Sequence, residues 1–442
     1  MLETCATLFF AAWEPQASQA VSRAASATTA ASDTRVITLR LQQERGHLIR
    51  YRDRWGLNLA QWIRVVIELL ASLALSITDK AAFAAIHDDA LRRAQVWQEP
   101  DTPIEEAKLD RNPDGANGFA TDEVVECAFR PGGIAGSTPK FDCELAGGEV
   151  VKVKYGRANA EVYTEVAATR LLGALGFPAD RMYVVRRVRC FGCPADPFPQ
   201  LECVNNLKSG ETMESCFPAL DFDRFHDFDE AVIERPLKGR RIESDHARGW
   251  AWEELKFVDE VVGGATRAQI DALRLMAVFL GHWDNKAKNQ RLVCLGEKKG
   301  EEGCERPLAM IQDLGATFGP MKLDLAGWSR SRIWADTPSC KVSMKRMPYG
   351  GSTFPDAFIS EDGRQFLATR LSRLSKPQIR ALFAGARITR FPHKRTSARN
   401  LDNWVRAFQS KVRAIVDHPA CPPAPAPTIT QEPTPPRSAM AR

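Results

Sequence analysis

The chain has 442 residues, 44% of them hydrophobic, with 60 basic against 55 acidic side chains and a formal charge of +5. That length and apolar content exclude a disordered chain and allow a large core with two or three domains. The small charge is spread along the whole length, so no dedicated nucleic-acid site is predicted, and the short run Phe391-Pro392-His393-Lys394-Arg395-Thr396 reads as a solvated face.

Residues 1–38 are rich in Ala, Ser and Thr without lasting periodicity and read as a flexible leader. The apolar run 6–12 follows Glu3 and has no Lys or Arg before Arg23, unlike a standard secretory signal. Localisation therefore defaults to the cytoplasm, with export left open by this run and by the cysteines. Within 39–111, Leu59, Trp62, Val66, Leu69 and Leu73 recur at steps of three and four, which predicts a helical accessory region. The stretch 62–77 carries Arg64 and Glu68 and is too short to cross a bilayer, so no membrane span is expected.

Asn112, Pro113, Asp114, Gly115, Asn117 and Gly118 mark a loop, and a new domain is expected from about 122 to 235. Segments 139–145 and 149–155, joined by Ala146-Gly147-Gly148, read as a hairpin in which Lys152 and Lys154 share one face. A helix is predicted over 161–172, with Glu161 and Glu165 on one side, followed by strands at 182–188 and 230–234. Cys190, Cys193, Cys203 and Cys216 favour disulfides over zinc, because the second pair lacks Cys-x-x-Cys spacing. Cys127, Cys143, Cys294, Cys304 and Cys340 read as ordinary, partly buried positions. From 236 to 416 the pattern is mainly helical, with helices at 252–262, 267–280, 367–371 and 400–416 and short strands at 291–295 and 308–311. The prolines of 419–442 predict an extended, disordered tail.

Three motifs carry chemistry. Gly133-Ile134-Ala135-Gly136-Ser137-Thr138-Pro139-Lys140-Phe141 offers tight turns, backbone N–H groups and hydroxyls to phosphate oxygens. Val151-Lys152-Val153-Lys154-Tyr155 supplies a strand lysine ahead of the Glu161 and Glu165 helix. His282-Trp283-Asp284, then Asn289, then Asp313-Leu314-Gly315, supplies a base and two metal-directed oxygens in order.

Together, from about 129 to 416, these motifs resemble the protein-kinase-like superfamily and most closely its HipA-like branch. The resemblance implies an α+β, bilobal protein-kinase-like fold with a small mixed N-lobe over 122–235 and a mainly helical C-lobe over 236–416. The first motif is similar to a Ser-Gly-x-x-Pro-Lys loop, although Ala135 precedes Gly136, which places Gly136, Ser137, Thr138 and Lys140 at nucleotide phosphates. Lys154 is implied as the nucleotide-binding lysine and Glu165 as its partner; spacing alone leaves Lys152 and Glu161 as competitors. Asp284 is implied as the hydroxyl-orienting base, Asn289 and Asp313 as Mg2+ ligands, and Lys286 as a cation at the transferred phosphoryl group. His282 supports the loop through backbone contacts, and Lys288 is a solvated charge.

The activity so implied uses ATP and Mg2+ to phosphorylate a protein Ser/Thr hydroxyl. Aminoglycoside and choline kinases resemble the same His-x-Asp-x-x-x-x-Asn and later Asp pattern, so a small-molecule alcohol substrate is the second reading. The lack of an Ala-Pro-Glu element after Asp313 keeps a nucleotide-binding pseudokinase as the third.

Overall fold

The computed structural model describes residues 83–113, 118–132, 136–208, 211–217, 220–243, 248–296, 304–348 and 350–423. The leader, the periodic set from Leu59 to Leu73, and the tail beyond 423 lie outside the described residues. The elements of the fold belong to the compact unit formed by 84–206 and 212–442.

Seven strands form one mixed sheet: β1 (Val124–Arg130), β2 (Lys140–Glu144), β3 (Val150–Tyr155), β4 (Arg181–Val184), β5 (Arg187–Phe191), β6 (Phe225–Phe228) and β7 (Ala231–Arg235), in the order β4-β7-β3-β2-β1-β5-β6. Only β1 and β5 pair in parallel. The predicted hairpin is β2–β3, turned by Gly148 at φ +79°, a conformation that suits a residue without a Cβ. The single strand expected over 182–188 is two strands. β4 pairs with β7 at one edge and β5 with β1 near the other, so the chain leaves one partner for another at Val185 and Arg186.

Helix α1 (Glu161–Ala174) is buried continuously from Glu161 to Leu172, packed between β4 and a helix of the second half. Enclosure on all sides explains why its polar residues must find partners within the protein.

Beyond β7 the chain is mainly helical, with α3 (Arg267–Leu280), α4 (Leu325–Arg330), α5 (Glu361–Ser372), α6 (Lys376–Gly385) and α7 (Leu401–Val416); α2 (Phe198–Asn205) belongs to the earlier part. A second sheet holds β8 (Arg240–Arg241), β9 (Gln290–Leu295) and β10 (Arg306–Ile311). The fold is thus α+β, a mixed sheet region followed by a more helical one, as the sequence predicts. The core of the second region is aromatic: Phe279, Phe318, Trp328, Phe383, Trp404 and Phe408 are each fully buried. The helix expected over 252–262 is instead two 3-10 turns. Val258 is extended, and the Asp259 carboxylate caps a new turn by accepting from the Val261 amide.

Cysteine pairing goes beyond expectation. Disulfides join Cys190 to Cys193 and Cys203 to Cys216, and also Cys127 to Cys143, Cys294 to Cys304 and Cys340 to Cys421. The five cysteines expected in ordinary positions are therefore all cross-linked, because strand register and loop return bring distant cysteines together in ways that spacing does not reveal.

The localisation expectation is also overturned. Among the described residues no helix is long and apolar enough to cross a membrane, and the apolar run 6–12, which left export open, lies outside them. The 16-residue α7 extends only about 24 Å, short of a hydrocarbon core, and exposes charged residues along one side.

Candidate active site

One half of the site is assembled on β2, β3, β7 and α1. Alternation along β3 buries Val151, Val153 and Tyr155 on one side and turns Lys152 and Lys154 to the other. Register places Lys154 opposite Lys140 on β2, and Lys152 opposite Glu234 on β7. Lys154 Nζ makes an ion pair with Glu165, and lies 3.3 Å from Glu234 Oε2 and 3.7 Å from Glu161 Oε2. Glu165 is thus the close partner, while Glu161 and Glu234 complete a ring of carboxylates. Lys152 is more exposed and reaches Glu234 Oε1 at 3.5 Å.

Such a buried cluster depends on mutual compensation. Burial works against the Lys154 ammonium, but Glu165, Glu234 and Glu161 outweigh it and hold its pKa well above the ordinary value. Burial also opposes ionisation of Glu161 and Glu234, yet Lys154 brings each to about 2, helped by Lys140 and Lys322 at Glu161 and by Lys152 at Glu234. Glu165 is pushed up by burial and by its acidic neighbours, and its Oε2 has no hydrogen-bond partner among the described residues. Burial and the adjacent Lys154 lower the pKa of Lys140.

The Gly136–Lys140 loop joins this cluster through Thr138, whose hydroxyl donates to Glu161 Oε2 at 2.7 Å. Gly136 has φ +92°, and a Cβ there would stand 2.8 Å from Lys140 Nζ. The left-handed turn favours glycine at this position, and any side chain there would press on the end of Lys140. Ser137 is exposed. Gly133, Ile134 and Ala135 lie outside the described residues.

The other half stands at the end of α3. This helix begins with a capping box between Thr266 and Gln269 and ends on Gly281 at φ +66°, which releases the chain into His282-Trp283-Asp284. Lys286 Nζ binds both Asp284 oxygens, at 2.9 and 3.1 Å. The Asn289 amide donates to the Asp284 carbonyl at 2.6 Å, which orients its own Oδ1 away from that bond. The Asn289 carbonyl accepts from the amides of Gln312 and Asp313 at 3.0 and 3.1 Å. Backbone links thus join the Asp284 loop to the Asp313 turn. Asp313 Oδ1 accepts from Gly315 N at 3.1 Å.

The halves meet at Gly315. Thr164 on α1 donates to the Gly315 carbonyl at 3.0 Å, and a Cβ on Gly315 would lie 2.5 Å from Glu161 Cγ. Only glycine lets this turn sit directly on the carboxylate cluster. Lys288 is exposed, as expected for a solvated charge.

Sequence reasoning missed Glu234, Lys322 and Asn285. Glu234 carried a signal, as the one acid ending an apolar strand segment. Lys322 reaches Glu161 Oε1 at 2.8 Å from an irregular segment without periodicity. Asn285 is fully buried; it accepts from Ser352 Oγ at 2.7 Å and Phe354 N at 3.2 Å and donates to the His282 carbonyl at 3.0 Å, clamping the 282–289 loop. His282 is fully buried with no hydrogen-bond partner for either ring nitrogen among the described residues, and burial lowers its pKa to about 4. It packs as a neutral ring 6.5 Å from that of Trp252.

No protein-family profile matches the chain, and no curated protein matches it. Among solved structures it is similar to the crystal structure of a Helicobacter pylori proinflammatory kinase, CtkA, at 11% identity over 67% of this chain and 98% of that one, with a TM-score of 0.34. A likeness of that size carries no function across.

Proposed function

We propose that the chain is an ATP- and Mg2+-dependent phosphotransferase that moves the γ-phosphoryl group to an alcohol, with a protein Ser/Thr hydroxyl as the acceptor class. The observation that carries this reading is the backbone joining of Asp284, Asn289 and Asp313 beside a fully buried Lys154–Glu165 pair. A buried ion pair costs desolvation and brings little stability over an apolar pair, so its presence is best explained by use.

The residues suit a hard cation. Asn289 Oδ1 and the Asp313 carboxylate are oxygen donors of the kind Mg2+ takes, and no softer ligand stands among the residues that form this site. When bound, the ion supplies charge neutralisation on the phosphates. Lys154 is held by Glu165 to bind phosphate oxygens, and the Thr138 loop with Lys140 covers them. Asp284 orients the acceptor hydroxyl and takes its proton as the new O–P bond forms and the bond from the γ-phosphorus to the bridging oxygen breaks, releasing ADP. Lys286, paired with Asp284, is assigned to the transferred group because Ser/Thr protein kinases carry a lysine two residues beyond the base, and that resemblance favours a protein hydroxyl over a small alcohol.

The experiment is label transfer from γ-labelled ATP by native protein and Asp284→Asn, with a protein extract and with a panel of small alcohols. Label on protein from the native chain alone supports the reading. Label on small alcohols alone transfers it to the second substrate class, and nucleotide binding without turnover makes the chain a pseudokinase.

A further inference from the structure

The segment between the Asp313 turn and α4 is wound through left-handed backbone. Phe318, Lys322 and Leu323 have φ of +56°, +53° and +46°, with Gly319 at +111°. Each non-glycine residue there costs on the order of 1 kcal/mol or more, and such strain persists only where the surroundings dictate it. They do so here. Phe318 and Leu323 are buried in the aromatic core; Phe318 N donates to the Leu280 carbonyl at 2.7 Å, and Asp324 N to the Phe318 carbonyl at 2.8 Å. Between them Met321 is 78% exposed, so packing alone does not account for the path of the loop.

The path has two outcomes. Gly319 offers its carbonyl to Trp283 Nε1 at 3.1 Å, beside Asp284. Lys322 extends to Glu161 Oε1 at 2.8 Å, while the other oxygen of the same carboxylate takes the Thr138 hydroxyl at 2.7 Å. A single carboxylate is thus held by the segment after Asp313 on one oxygen and by the phosphate-directed loop on the other.

We propose that Lys322 is a positioning residue that, through Glu161, couples the strained 318–323 segment to the Thr138 loop and so sets nucleotide affinity. Charge points the same way. Glu161, Glu165, Glu234 and Asp313 face Lys140, Lys154 and Lys322, and loss of Lys322 leaves Glu161 with one cation fewer in a site meant for a polyanion. The kinetic side of this inference rests on the phosphotransferase reading; the structural side does not.

The test has two arms. In turnover, Lys322→Ala is expected to raise KM for ATP roughly tenfold with kcat changed much less, and Lys322→Arg to restore it. In the absence of nucleotide, denaturation midpoints of Lys322→Ala, Thr138→Val and the double variant are expected to be non-additive, because both act on one carboxylate. Additive midpoints, or an unchanged KM in a folded Lys322→Ala protein, overturn the proposal. A native chain that never turns over ATP sinks the phosphotransferase reading, and the midpoints then decide the coupling alone.

Discussion

The two halves of the site are built in opposite ways. Around Lys154 the charges are buried and bound mainly to one another, and side chain meets side chain across three strands and a helix. Around Asp284 the carboxylates of Asp284 and Asp313 are half-buried and the segments are held through backbone: the buried Asn289 side chain on the Asp284 carbonyl, the Asp313 amide on the Asn289 carbonyl. The first arrangement fixes charge before any ligand arrives. The second fixes backbone position, with the Asp284 carboxylate on Lys286 and one Asp313 oxygen on the Gly315 amide. Removing a group should therefore cost stability in the first half and rate in the second.

The largest expected effect is on turnover. Asp284→Asn should lower phosphoryl transfer by about 10²–10⁴-fold, the range for a lost general base, with an unfolding midpoint close to native. A large drop in midpoint would erase the contrast between the halves. Lys154→Met should, besides weakening nucleotide binding, destabilise the fold by about 3–5 kcal/mol as Glu161, Glu165 and Glu234 lose their common cation. Urea titration measures this, and a native-like midpoint would show that the cluster is not mutually compensated.

Low pH tests the contrast at a buried group of the second half. The His282 pKa falls from 6.5 to about 4 in the folded chain. The unfolded chain then binds the extra proton between these values, so stability is full above about pH 6.5 and declines as pH falls toward 4, by about 3 kcal/mol in all. His282→Phe should flatten that part of the stability–pH profile; an unchanged slope would assign the acid sensitivity elsewhere. A smaller loss, about 1–3 kcal/mol, is expected for Asn285→Ala, which leaves its buried partners unpaired. Because this clamp holds the catalytic loop, transfer should fall with it, and a change in stability with native transfer would separate the clamp from the site.

The difference between the halves also governs what could be read in advance. The hairpin, α1 and α3 were legible because alternation, turn glycines and helical apolar spacing are local. Asp284 and Asn289 were singled out by their five-residue spacing and Asp313 by its Asp-Leu-Gly turn further on; the structure brings their backbones together, and their roles belong to the proposal above. Glu234 joins Lys154 only through the β3–β7 register, and Lys322 reaches Glu161 only through the left-handed path of 318–323. Neither has a local signature. The cysteine pairs 127–143 and 340–421 were hidden likewise, since strand order and chain return set them.

Whether this site transfers phosphate is decided by Mg2+-dependent passage of label from γ-labelled ATP in the native protein beside Asp284→Asn and Asp313→Asn. Transfer is expected from the native chain alone, with nucleotide binding retained by Asp284→Asn and metal-dependent nucleotide binding weakened in Asp313→Asn. Equal transfer by all three proteins would contradict the assignment of both carboxylates.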